Sequence, residues 1–145
     1  MLRLPAAILA VLFASGCAIS QEVEPVPERQ AIEMVYVEHN PDVHMEELND
    51  SLVGMFEDMG IESELYRGTR PDDAEHHLEF TANWTWDLAM YLTYFDARLY
   101  EQEQLIGTAE YDARRGGGRP DKFGPTEEKI RPLMQELITG EPAEE

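Results

Sequence analysis

Leu78, Phe80, Ala82, Trp84 and Trp86 alternate strictly with Glu79, Thr81, Asn83, Thr85 and Asp87. A period of two predicts a strand with one buried and one wet face. Residues 31–38 are rich in β-branched and aromatic side chains and predict another strand. From Asn40 to about Met59 the spacing lengthens. Met45, Leu48, Leu52, Met55, Phe56 and Met59 recur at three- and four-residue steps, the apolar stripe of a helix. Asn40 as cap, Pro41 at the first helical position and Asp42 in the first turn predict where it starts. Gly60 predicts a left-handed end. A short strand over 61–66 and a polar loop over 67–75 lead to the alternating segment, after which Asp87-Leu88-Ala89 turns the chain. Residues 91–100 and 105–112 predict two more strands, joined by the polar turn 101–104. A last helix follows, with Thr126 as cap, Ile130, Leu133, Met134, Leu137 and Ile138 as its apolar face, and Gly140 at its close. Pro132 removes a backbone donor there and predicts a kink or a later start.

The resulting order is β-α-β-β-β-β-α. Two amphipathic helices cover one face of a sheet, so the expected class is α+β. The expected form is a two-layer sandwich with a mixed, mostly antiparallel sheet of four to five strands. The boundaries read as 1–16 apolar leader, 17–30 flexible tether, 31–140 one domain, and 141–145 disordered tail. Pro25 and Pro27 within an acidic stretch support the tether.

The N-terminus has its own pattern. Met1-Leu2-Arg3 carries one positive charge, residues 4–14 are almost wholly apolar, and Ala14-Ser15-Gly16 supplies small residues before Cys17. That is the layout of a secretory signal peptide. It is too short to cross a bilayer permanently, which takes about 20 residues. With cysteine directly after the small residues, it resembles a bacterial lipoprotein signal, or lipobox, although Ala14 stands where leucine is usual. The resemblance implies a diacylglyceryl group on the Cys17 thiol, cleavage before it, and acylation of the new amino group. Two or three acyl chains make a stable anchor where one does not. Ala18 stands where an inner-membrane retention signal has aspartate, which implies the outer membrane. The alternative is an ordinary signal peptide cut nearby, leaving a free thiol.

Charge narrows the partners. Thirty Asp and Glu against eleven Lys and Arg leave a formal charge of −19, and Lys122 and Lys129 are the only lysines. Such a surface repels nucleic acid, so no nucleic-acid partner is expected. The acids are spread along the chain, which favours adaptation to a salty medium over one cationic partner. Cys17 is the single cysteine, so no disulfide forms within a monomer.

Candidate chemistry is sparse. His39, His44 and His76-His77, with Asp42, Glu46 and Glu75, offer metal donors but lack the single-face spacing of H-E-x-x-H. Exposed loop histidines and no metal are expected. Glu79 and Asp87 share the wet face of one strand and read as solvated. Ser20, Ser51 and Ser63 stand outside any G-x-S-x-G. No catalytic residue and no cofactor follow, and the chain reads as non-enzymatic.

Two features suit contact instead. Trp84, Trp86, Tyr91, Tyr94, Phe95, Tyr100 and Tyr111 fall on three consecutive strands. Packing beneath the helices is expected, and any uncovered part suits a peptide, glycan or lipid chain. Arg114, Arg115, Arg119 and Lys122 surround Gly116-Gly117-Gly118. Arginine forks and glycine backbone suit phosphate or carboxylate, yet the loop lacks the GK[ST] of a P-loop. The competing reading pairs these cations with the protein's own acids.

Residues 81–89 (TANWTWDLA), Tyr111-Asp112, Arg115-Gly116-Gly117-Gly118, Lys122-Phe123 and Glu128-Lys129-Ile130 resemble a family of small, uncharacterised proteobacterial lipoproteins. The similarity covers nearly the whole chain, and Pro132 departs from the family's pattern. It implies a lipoprotein without assigning an activity. The expected role is a lipid-anchored binding or assembly component at the periplasmic face of the outer membrane. Its expected partners are the membrane, through Cys17, and an envelope protein. A lipid- or small-solute-binding protein using the aromatic sheet face, with Trp84 and Trp86, is the alternative. An enzyme comes third.

Overall fold

The computed structural model describes residues 18–27 and 31–143. Six strands are present: β1 (Ala18–Glu24), β2 (Met34–Glu38), β3 (Glu62–Tyr66), β4 (His76–Asp87), β5 (Ala89–Glu101) and β6 (Gln104–Arg115). Helix α1 (Glu47–Asp58) lies between β2 and β3, and α2 (Thr126–Thr139) follows a 3-10 turn at Pro120–Lys122. The strands form one sheet in the order β1-β6-β5-β4-β2-β3. β2 runs parallel to both β3 and β4, and the other pairs are antiparallel. Parallel neighbours need a long crossover, and α1 supplies it between β2 and β3.

Most of the expected stripes bury, but Met45, which precedes α1, and Trp86 of β4 stay exposed. Leu48, Leu52, Met55 and Phe56 of α1 join Ile130, Leu133, Met134 and Leu137 of α2 in one core with the inward residues of β2, β4, β5 and β6. The helices also meet at their edge, where Arg131 donates to Asp58 at 2.7 Å. They therefore share one face of the sheet, and the class is α+β as expected. Gly60 ends the α1 region at φ 79°, where a side chain would be strained.

Three expectations need correction. The tether over 17–30 and the four-to-five-strand sheet give way to β1, which pairs with β6 from Ala18↔Arg115 to Glu24↔Thr108. Ile19 and Val23 are partly buried against the core while the acids face water, so a sparse apolar alternation is enough where an open β6 edge supplies hydrogen bonds. Pro25 and Pro27 follow this strand and end it. Val26 then turns inward, with its amide donating to the Leu137 carbonyl at 2.9 Å. This closure is tight. A Cβ on Gly107 of β6 would lie 2.7 Å from Leu137 Cδ1 and 3.0 Å from the Glu24 carbonyl oxygen.

The second correction concerns α1, which begins at Glu47 rather than at Asn40. The Asn40 side chain instead accepts from the Asp42 amide at 2.9 Å and donates to the Phe80 carbonyl at 2.8 Å. Buried Asn49 accepts from the Asn40 amide at 2.8 Å and donates to the Glu46 carbonyl at 3.1 Å. Residues 40–46 are thus a loop whose backbone is satisfied by two asparagines. Third, Pro132 does not delay α2, which runs through it from Thr126. The bond it removes would have ended on the carbonyl of Glu128, an exposed residue within reach of water.

β4 and β5, of 12 and 13 residues, form the longest hairpin. Its turn residue Leu88 sits at φ 62°. Among the described residues no helix is long and apolar enough to cross a membrane.

Candidate functional site

The end of the sheet that carries the β4–β5 turn gathers most of the residues singled out by sequence. Tyr94 pairs with Asp112, and moving three residues towards the turn on β5 corresponds to moving to Arg115 on β6, whose partner is Ala18. Strand β1 therefore starts at this same end. Cys17, the expected lipidation site, lies outside the described residues; it is covalently joined to Ala18.

The hairpin tip projects three apolar side chains: Trp86 is 69% exposed, Leu88 89% and Met90 41%. Trp86 and Met90 are cross-strand partners flanking Leu88. Positive φ usually selects glycine or asparagine at a turn, so an exposed leucine there serves neither the turn nor the core. A break with local rules that brings no folding benefit points to function.

Trp84 has a different fate. Its Nε1 donates to Thr126 Oγ1 at 3.0 Å, at the first residue of α2, and its ring packs on the core. The two tryptophans share a face of β4 in sequence, but α2 begins beside Trp84 and leaves Trp86 uncovered.

The basic loop braces this tip. Lys122, expected as a surface contact for anions, is buried. Its Nζ donates to Asp87 Oδ2 and to the Gly117 carbonyl, each at 2.5 Å, and lies about 5 Å from the ring centroids of Tyr91 and Phe123. Burial is tolerable because the ammonium is paired and hydrogen-bonded. Arg114 forks onto Asp112 at 2.9 and 2.6 Å and stacks on Tyr94 at 4.5 Å. Its hydrogen bonds hold the Asp112 carboxyl below the usual range. Arg119 forks onto Asp121 at 2.9 and 2.5 Å, with the same effect on that carboxyl. Pairing with the protein's own acids is the outcome for these three cations. Arg115 is exposed beside the start of β1.

The other candidates scatter. Asp87 is held by Lys122, whereas Glu79 lies 3.6 Å from His77. Eight residues of strand separate them, about 26 Å, so they form no catalytic pair. His39 bonds Glu46 at 2.6 Å, and His44 is exposed near the Trp84 ring. His76 and His77 are buried rather than exposed, because β4 already begins at His76. His77 stacks on Tyr100, with centroids 5.0 Å apart, and accepts from Arg70 at 3.1 Å. Burial, then the Arg70 charge, lower its pKa. Of the serines, Ser63 donates to the Val35 carbonyl at 2.9 Å.

No protein-family model matches the chain, and no curated protein matches it. Among solved structures, a leucine-to-methionine variant of the PelC dodecamer from Paraburkholderia phytofirmans is similar, with a TM-score of 0.55 at 10% identity. The match covers 88% of this chain and 100% of that one. A second PelC dodecamer from the same organism gives 0.53 at 8% identity with the same coverage. At such identities the likeness is one of fold.

Proposed function

We propose that this chain is a lipid-anchored, non-enzymatic component of the bacterial cell envelope, attached through Cys17 at the periplasmic face of the outer membrane. Its hairpin tip rests on the lipid. The observation that carries this reading is that Ala18 and the tip formed by Trp86, Leu88 and Met90 lie at one end of the sheet. Because β1 starts at the residue after Cys17, acyl chains on that cysteine draw this end to within a few ångströms of the bilayer. Indole suits the interface between acyl chains and water, and the exposed leucine and methionine gain by entering lipid. The covered position of Trp84 weighs against a solute site on the aromatic sheet face.

Fluorescence tests the reading. With Trp84→Phe, Trp86 is the only tryptophan left. In the acylated protein on phosphatidylethanolamine and phosphatidylglycerol vesicles containing bromine-labelled lipid, Trp86 emission is expected to shift to the blue and be quenched. Emission identical to that of the detergent-free soluble form overturns membrane contact.

The assembly role has a specific form to consider, since the structures sharing this fold are dodecamers of PelC. Self-association of this chain is therefore the second reading, and light scattering of the acylated protein in detergent distinguishes a monomer from a closed oligomer.

A further inference from the structure

The opposite end of the sheet carries a second constellation. His76 opens β4 and Glu101 closes β5, and the two are cross-strand partners. Directly opposed residues leave the sheet on the same side, a few ångströms apart. Glu75 stands immediately before them. Its carbonyl accepts from the Gln102 amide at 2.7 Å, which ties the start of β4 to the β5–β6 turn. One carboxylate oxygen from Glu75, one from Glu101 and a ring nitrogen of His76 all lie within 4.8 Å of one another.

The independent sign of a ligand is His76 itself. It is only 4% exposed, and its Nε2 is buried without any hydrogen-bond partner. A buried ring nitrogen left unmet is costly and uncommon. His76 also borders a cavity of about 160 Å³ together with Glu75, Glu33 and Asp73. Acidic groups around that mouth attract a cation and exclude an anion or a carboxylate ligand. A nitrogen lone pair flanked by two carboxylate oxygens is a donor set for a divalent ion.

We propose that Glu75, His76 and Glu101 bind a first-row divalent transition-metal ion, with zinc as the best fit. Zinc takes imidazole nitrogen and carboxylate oxygen together, in a four-coordinate site whose last position water can fill. The imidazole distinguishes it from magnesium, which favours oxygen donors and holds its water tightly. Metal binding uses the neutral imidazole and would give this buried ring a partner. It also fastens the first residue of β4 to the last of β5, at the sheet end remote from the hairpin tip.

Calorimetric titration of the purified acylated protein with zinc chloride at pH 7.5 tests the site. One zinc per chain is expected, with magnesium failing to compete at a hundredfold excess. Glu75→Gln and Glu101→Gln should each weaken zinc by at least the roughly 10–100-fold that losing an outer-shell partner costs, since both are direct donors. Both change exposed or half-exposed carboxylates, so circular dichroism should match the parent. His76→Asn should lose binding too, and zinc-edge X-ray absorption should report a single imidazole. Absence of saturable binding overturns the proposal. So does zinc binding that survives both glutamine variants, or equal binding of magnesium.

Discussion

On the proposed anchoring, Cys17→Ser should abolish incorporation of radiolabelled palmitate and move the protein from the membrane pellet to the soluble fraction. The expected effect is close to all-or-none, because acyl chains would dominate attachment. Each buried CH₂ contributes about 0.8 kcal/mol, so two or three chains outweigh every other contact with lipid. The hairpin tip adds at most about 1.5–3 kcal/mol for each of Trp86, Leu88 and Met90 if fully inserted, and insertion orders the turn at some entropic cost. On this reading the tip would orient an anchored protein and not hold a free one. An ordinary signal peptide cut near Cys17 makes the opposite prediction. The thiol would then react with a maleimide reagent, no palmitate would be incorporated in the parent, and serine would change nothing.

Phe95→Ala should lower the stability of the domain by about 3–5 kcal/mol, measured by urea denaturation of the purified protein. Phe95 is wholly buried on the central strand β5, between Ala82 of β4 and Tyr111 of β6. Its ring lies 6.4 Å from that of Phe80. Four of the inward positions around it are alanines, at 82, 97, 109 and 113. They are too small to close over the space that the ring leaves, so the cavity persists. Against a typical total of about 5–15 kcal/mol, the loss is roughly a fifth or more, and no disulfide within the described residues offsets it. Leu105→Ala is the contrast. That side chain is 45% exposed, and its removal should cost well under 1 kcal/mol. Equal losses at the two positions would contradict the assignment of the core.

The elements that were legible in sequence are those set by local periodicity. The strict alternation of residues 78–87 yields β4, and the three-and-four spacing of Ile130, Leu133, Met134 and Leu137 yields α2. What escaped depends on distant partners. Residues 18–24 look like an acidic, proline-flanked linker until β6 offers an edge. Asn40-Pro41-Asp42 fits a helix start and an Asx turn equally well, and Asn49, nine residues on, selects the turn. The pair His76-His77 is polar enough to read as loop, yet Glu101 and Tyr100 lie opposite and make it strand. Lys122 shows the same limit. Its charge suggests an exposed contact, whereas Asp87, 35 residues earlier, draws it inward. Trp84 and Trp86 are equivalent by alternation. Only the point at which α2 begins separates a covered indole from an exposed one.

Nitroxide labels at the two ends of the β5 strand test the attachment geometry most directly. Leu88→Cys and Gln102→Cys place one label at the hairpin tip and the other at the β5–β6 turn, about 45 Å apart along the strand. If Cys17 is acylated as proposed, the introduced thiol is the one available for labelling. On vesicles, attachment through the hairpin end requires the label at 88 to be relaxed by oxygen dissolved in the lipid and shielded from an aqueous nickel complex. The label at 102 must show the reverse. Equal access of the nickel complex to both labels, or lipid exposure at 102 alone, contradicts it.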